Sequence, residues 1–384
     1  MYYKIINRKK RAVTRALDIL GYLLSAPFRL FGKKGGISGV SEILVIRTAY
    51  IGDVIMTLPV LKPLKDLYPG ARITFLTAEK AKDVLAGNPY VDEVLAYDAF
   101  WFYPAPRAAA IRRYLGFLKE LRKVRYDLVI EARADIRDIA LLARMAKARH
   151  RVSYNVGGGG YLLTHVVPYR ELKHKVEYHL DIVRFLGAKD PGLHWGIHLN
   201  EGEEKRALEL LRRKGARLDN LVAIHPGSRK ELKCWSYRGF AEVADRLMDE
   251  HGAAVVFTGS PDEAPLVDRV MGAMRNRPVS LAGQTGLREM AAIIKRCRLF
   301  VCNDTSPLHI AAAAGTPTVA IFGPSKSMET GPYGGMHRVV EKDFACRYSC
   351  DEDVCLSEAH NECMDAIKAD DVMRAAEDIL NRRV

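Results

Sequence analysis

The chain has 384 residues, 48% of them hydrophobic and 27% charged, enough material for two folded cores and unlike a disordered or low-complexity polypeptide. The net charge of +13 points to anionic partners: nucleic acid, a phospholipid surface or a phosphorylated substrate. Position in the chain decides among them.

Nine basic residues against one acid, Asp18, fall in the first 40, so +8 of the +13 lies there. Arg8, Arg11, Arg15, Asp18, Tyr22, Ser25 and Arg29 recur at spacings of three and four, with Val13, Leu17, Leu20 and Leu24 on the opposite side; this pattern predicts a basic amphipathic helix. Its uncharged middle, Ile19 to Phe28, is 10 residues long, against the ~20 needed to span a bilayer. The helix is expected to lie on a membrane surface, with a capping helix of the N-terminal domain as the rival reading. A signal peptide would need a small-residue cleavage site, and none is evident. The excess charge sits beside an apolar stripe, which suits lipid better than nucleic acid. Gly32 to Gly39 reads as a flexible linker.

From residue 41 the pattern is βαβαβ. Ile43–Arg47 is the first buried strand, Asp53–Leu67 a helix, Arg72–Thr77 a strand, Glu79–Ala86 a helix and Glu93–Tyr97 a strand; a parallel sheet covered on both faces follows. Further helices are expected over Ala108–Lys123, Asp138–Ala148 and Lys175–Leu186, with a strand at Leu128–Glu131. A charged helix, Glu203–Lys214, leads to the second domain, where strands at Leu221–Ile224, Ala253–Phe257 and Leu299–Cys302 each feed a small-residue turn and a helix. The expected domains are residues 1–40 (arm and linker), 41–215 and 216–384. No G-x-G-x-x-G follows the first strand of either half, which disfavours an NAD enzyme.

In FVCNDTSPLHIAAAAGTPTVAIFGPS, Phe300 to Ser325, a strand, a tight turn and an Ala-rich helix place the hydroxyls of Thr305 and Ser306 and unpaired backbone N–H groups at a positive helix end. This is an anion site or an ordinary N-cap. Asp53, after a glycine at a strand-to-helix turn, is a cap or a general base at the sheet edge where such proteins bind ligands. Four glycines, Gly157 to Gly160, flanked by Arg149 and Arg151, form a mobile loop over an anionic acceptor or a solvated turn. Cys346, Cys350, Cys355 and Cys363 lack the paired short loops of zinc ribbons and are expected to be free thiols. Asp351-Glu352-Asp353 reads as surface acid.

Two stretches, ILVIRTAYIGDVIMTLPVLKPLKDLYPGARITFL and NDTSPLHIAAAAGTPTVAIFGPS, together resemble the N- and C-terminal motifs of the family 9 glycosyltransferases, the heptosyltransferases of lipopolysaccharide inner-core synthesis. The resemblance implies an α/β chain of GT-B type, two Rossmann-like domains facing across a cleft, and metal-independent, inverting transfer without a cofactor. It implies Asp53 as catalytic base and Lys233, in HPGSRKELKCW, as the residue on donor phosphate and sugar. Ser228, Thr305, Ser306 and His309 join Lys233 at the donor, Asp304 meets sugar hydroxyls, and Gly259 in its turn lies on the nucleoside side. Ser306 stands where many members carry glycine, and Ser236 where proline is frequent. ADP-heptose and a lipid-anchored, phosphorylated oligosaccharide are the implied substrates, with Arg133, Arg137, Arg149 and Arg151 as candidates for acceptor phosphates. The expected location is cytoplasmic, peripheral on the inner face of the bacterial inner membrane through residues 1–34. A different sugar nucleotide or glycan, or a non-catalytic nucleotide-sugar binder, is the alternative.

Overall fold

The run EILVIR has no polar residue between its ends, and as strand β1 (Glu42–Arg47) it is buried from Ile43 to Ile46 at the centre of a parallel sheet. The computed structural model describes residue 3 and residues 8–30, 37–48, 50–348, 350 and 353–381. The chain divides into two units, Met1–Leu172 with Val176–Trp195, and Lys173–Lys175 with Gly196–Val384.

In the first unit β1 is joined by β2 (Arg72–Thr77), β3 (Glu93–Ala96), β4 (Leu128–Glu131), β5 (His150–Ser153) and β6 (His165–Val166) in the order β3-β2-β1-β4-β5-β6. All pairs are parallel; Ile43 lies opposite Ile73 on one side and Leu128 on the other. The helices are α1 (Arg8–Leu30), α2 (Ile51–Thr57), α3 (Leu61–Leu67), α4 (Arg107–Leu121), α5 (Ile136–Asp138), which runs into a wider turn at Ile139–Ala143, and α6 (Lys175–Phe185). The single helix expected over Asp53–Leu67 is broken by a 3-10 turn at Leu58–Val60. Pro59 and Pro63 lack the N–H groups a continuous helix would use. Glu79–Val84 is likewise 3-10.

The second unit repeats the plan: β7 (Leu221–His225), β8 (Ala254–Phe257), β9 (Val279–Ser280), β10 (Leu299–Asn303), β11 (Thr318–Ile321) and β12 (His337–Val340), in the order β12-β11-β10-β7-β8-β9, again all parallel. Counted from its own first strand this is 3-2-1-4-5-6, the order of the first unit and of doubly wound nucleotide-binding sheets. Its helices are α7 (Glu201–Arg213), α8 (Tyr237–His251), α9 (Ala264–Gly272), α10 (Leu287–Lys295), α11 (Ser306–Ala313), α12 (Ser327–Thr330), α13 (Glu362–Asp365) and α14 (Ala369–Leu380). The division falls after Trp195 and not at residue 215, so α7 belongs to the second unit. Glu203 on α7 and Arg288 on α10 form the ion pair that fixes it there.

The N-terminal helix is part of the first unit. Its polar face packs inward: Thr14, Asp18 and Gly21 are buried, while Leu17, Leu20, Leu23 and Leu24 are exposed. The Asp18 carboxylate accepts hydrogen bonds from the Gly159 N–H and the Tyr3 hydroxyl, both at 2.8 Å. The glycine run is therefore neither a mobile loop over an acceptor nor a solvated turn, but a socket for this helix. Gly158 and Gly159 take positive φ, and a Cβ on Gly157 would lie 1.8 Å from the Ala134 carbonyl oxygen. Part of the expected linker, residues 32–36, lies outside the described residues. No described helix is long and apolar enough to cross a membrane.

Candidate active site

In such sheets ligands bind beyond the carboxyl ends of the strands where the strand order reverses. In the second unit that point lies between β7 and β10. The last residue of β10, Asn303, is fully buried; its Nδ2 donates to the Pro226 carbonyl at 2.7 Å and its Oδ1 accepts from the Trp235 N–H at 3.1 Å. One side chain thus ties the β10 turn to the loop after β7. Next in sequence, Asp304 is buried and its Oδ2 lies 2.9 Å from the Lys233 Nζ. The Ser228 hydroxyl donates to the Asp304 carbonyl at 3.3 Å.

The α11 helix begins at Ser306 with Thr305 as N-cap, no side-chain cap bond and no acid in its first turn. That leaves its terminal N–H groups and positive dipole end suited to an anion. Thr305 and Ser306 are half-buried there and His309 is buried one turn on. Beneath the loop, the His225 Nδ1 lies 3.1 Å from the Thr258 hydroxyl and its Nε2 3.5 Å from Glu263. Burial alone would raise the Glu263 pKa, but His225 and the Ser260 N–H outweigh it and hold the carboxyl down at about 2. Gly259 in the β8 turn lies against Ala282, Glu263 and Val267, each 3.4 Å from where a Cβ would sit, which is ordinary contact distance. Sequence reasoning singled out Ser228, Lys233, Gly259, Asp304, Thr305, Ser306 and His309. It missed Asn303, whose signal was its place at the end of an apolar strand, and the His225–Glu263 pair.

In the first unit the corresponding point lies between β1 and β4. Asp53 is the third residue of α2 and Tyr50 is the N-cap, so Asp53 is not the cap. Its Oδ1 accepts from the Arg47 Nη2 at 2.7 Å, and the same buried guanidinium donates through Nη1 to the Ala132 carbonyl at 3.0 Å. His179 on α6 lies between the carbonyls of Met56 and Ala132, at 2.7 and 3.0 Å. Burial first, and Arg47 second, push its pKa down to about 3, so the neutral ring donates to one carbonyl at a time. Arg47 and His179 thereby fix the base of α2 to the β4 loop and hold the Asp53 side chain in place. Neither was read from the sequence as a site residue.

The β4 loop is built around buried acids. Glu131 accepts from the Arg133 and Ala134 N–H groups and the Ser153 hydroxyl, while Asp138 accepts from Thr48 and Trp101. Burial raises the pKa of both. Arg133 and Arg137 emerge from this loop over the Phe102 ring, 3.8 and 4.7 Å from its centroid, and both pair with Asp135. The other two arginines are not brought to them. Arg149 precedes β5 and Arg151 lies opposite Val129, near the amino ends of parallel strands. The Arg151 guanidinium donates through Nε to the Leu162 carbonyl and through Nη1 to the Ala148 carbonyl.

All seven cysteines are free thiols, with Cys297, Cys302, Cys350 and Cys363 buried. Asp353 is exposed and pairs with Lys230, in keeping with surface acid; residues 351 and 352 lie outside the described residues. Among the described residues, Glu250, His251 and Glu377 form a compact trio, remote in sequence from both turns.

Two doubly wound units, one with Lys233 and an uncapped helix at its switch point and the other with a held aspartate, have the architecture of the GT-B class. The sequence matches glycosyltransferase family 9 (heptosyltransferase) over residues 114–359. It is 33% identical over 282 residues to lipopolysaccharide heptosyltransferase 3 of Escherichia coli K12, covering 71% of this chain and 80% of that protein. A family 9 glycosyltransferase from Veillonella parvula superposes with a TM-score of 0.80 at 26% identity, over 91% of this chain and all of that one. The E. coli ADP-heptose lipopolysaccharide heptosyltransferase II shares the fold, with a TM-score of 0.71 at 23% identity over 89% of this chain and 99% of its own. The chain belongs to glycosyltransferase family 9, the heptosyltransferases.

Proposed function

We propose that this enzyme transfers heptose from ADP-heptose to a lipid-anchored, phosphorylated oligosaccharide of the lipopolysaccharide inner core, with inversion at the anomeric carbon. The observation that carries the donor half is the Lys233–Asp304 pair, 2.9 Å apart, beside the uncapped start of α11. A diphosphate there meets a cation and helix N–H groups together. Asp53 takes the proton of the acceptor hydroxyl as its oxygen attacks C1 of the heptose. The bond from C1 to the diphosphate oxygen breaks, and its electron pair leaves on ADP. Lys233, the α11 N–H groups and the hydroxyls of Ser228, Thr305 and Ser306 stabilise the charge that develops on that oxygen. Asp304 orients Lys233 and reaches the sugar hydroxyls, and the turn at Gly259 supports the nucleoside. Arg133 and Arg137 serve the acceptor's phosphates in the first unit.

The exposed leucines of α1, with Lys9, Lys10, Arg11 and Arg15 exposed at its start, support a peripheral position on the cytoplasmic face of the inner membrane through residues 1–34. Each basic residue near an anionic surface adds on the order of 1 kcal/mol.

Titration calorimetry against ADP, ADP-heptose, UDP and GDP tests the donor. Selective binding of the adenine nucleotides, weakened in Lys233→Ala, is expected; preference for UDP or GDP overturns the donor and leaves the family.

A further inference from the structure

The α1 helix leaves its apolar stripe in solvent because its polar stripe is already engaged. Val13, Leu20 and Leu24 are 60, 54 and 69% exposed. On the other side Gly158 faces the Thr14 methyl, Gly160 the Tyr22 hydroxyl, and Gly21 the Tyr161 ring, each too close for a Cβ. The only acid of the helix, Asp18, points into this socket, so the outer face carries cations alone.

A second helix of the same unit also leaves apolar side chains in solvent. The α4 helix buries Phe117, Leu118 and Leu121 in the core of the first unit, where the Phe117 ring stacks on Tyr97 at 4.3 Å. The flank next to that buried face exposes Ile111 and Leu115, 57 and 55%, with Ala108 on the same stripe. Arg107, Arg112, Arg113 and Lys119 are all exposed around them, and the one acid of the helix, Glu120, pairs with Lys123 at its end. The segment from Ile136 to Leu141 links the two: the Tyr114 hydroxyl of α4 donates to the Leu141 carbonyl at 2.7 Å, and Gly159, in the loop that holds α1, lies against Ile136 and Ile139.

We propose that the exposed flank of α4 is a second membrane contact, so that the first unit docks on an anionic bilayer through two helices, α4 on the Ile136–Leu141 segment and α1 on the glycine loop that packs against it. The inference rests on the membrane reading of α1 given above and extends it to residues outside the arm. Apolar side chains ringed by cations are what an anionic lipid interface takes up. Charge argues against a second copy of the chain as occupant, because a symmetric contact would bring like-charged rings together. Held at two helices, the unit would present Arg133, Arg137 and Asp53 at a set height above the lipid.

The test is flotation of the full chain with vesicles of phosphatidylglycerol and phosphatidylethanolamine, against vesicles of phosphatidylcholine, with ADP binding as the check on folding. The double variant Ile111→Glu/Leu115→Glu is expected to lower partition onto the anionic vesicles about tenfold or more, and Arg112→Gln/Arg113→Gln severalfold. Leu17→Glu/Leu20→Glu tests the arm separately. If the arm variant loses binding while both α4 variants float like the parent, the α4 contact is wrong and the arm reading stands. If none of the three changes flotation, both are wrong. A chain that self-associates through this face, losing oligomers but not flotation in the α4 variants, would also overturn the proposal.

Discussion

The two units share one strand order yet treat the helix end at their switch points in opposite ways. The first turn of α2 carries its own carboxylate, Asp53, clamped by Arg47. The α11 helix starts with no acid in its first turn and a lysine 2.9 Å from the preceding aspartate. A helix N-terminus favours negative charge in either case. In the proposed reaction, supplying that charge from within leaves a base for an acceptor hydroxyl, while leaving it to the ligand makes a diphosphate site. One topology thus serves two chemistries through the choice of a few turn residues.

The comparison is broken most severely at Asp53. Asp53→Ala is expected to lower kcat by about 10²–10⁴-fold with ADP affinity unchanged, as read by steady-state kinetics beside calorimetry; weakened ADP binding would mean that the units do not divide the work. Lys233→Ala removes a charge-assisted contact and is expected to weaken ADP binding by about 1.5–3 kcal/mol, leaving the thermal unfolding of the first unit unmoved. Asn303→Ala leaves the Pro226 carbonyl and Trp235 N–H without their partner, which should cost about 1.5 kcal/mol in thermal or denaturant unfolding and loosen the donor loop.

The smallest effect is one of pH. The folded pKa of Glu263, about 2, lies below its ordinary 4.5, so its contribution is present above pH ~4.5 and lost as pH falls toward 2. After allowance for partial solvent screening, this amounts to about 1–2 kcal/mol. Glu263→Gln should flatten the acid limb of a stability-against-pH curve for the second unit; an unchanged slope would remove the His225 pair from the account.

Much of this was legible in the sequence because parallel strands are nearly continuous apolar runs, and the β1, β4, β7 and β10 segments announce themselves. The turn residues at Asp53, Lys233 and Asp304 followed from their places after those strands and from the family resemblance. Other features were hidden for physical reasons. The α1 pattern predicts an amphipathic helix but not which face docks, since either side satisfies the same period. The four glycines advertise backbone freedom, and only the packed partner reveals that they make room for Thr14, Tyr22 and a carboxylate. Arg47 sits at the end of an apolar strand, where a buried guanidinium needs Asp53 and the Ala132 carbonyl to be tolerable; no local signal marks that pairing. The strand β12, HRVV, is short and carries two basic residues at its start, too weak a run to stand out.

The socket at Gly157–Gly160 has a consequence for how this chain can change over generations. With α1 in place, a side chain at Gly158 or Gly160 would strike the helix, and one at Gly157 would displace the Ala134 carbonyl and the turn leading to Arg137. A lineage that discards the helix relieves only the clashes with Thr14 and Tyr22: Gly158 and Gly159 stay held by their positive φ, Gly160 by the Asn155 Cβ at 2.9 Å and Gly157 by the Ala134 carbonyl. Descendants without the helix should therefore still keep glycine here, so that the run outlives the contact it serves.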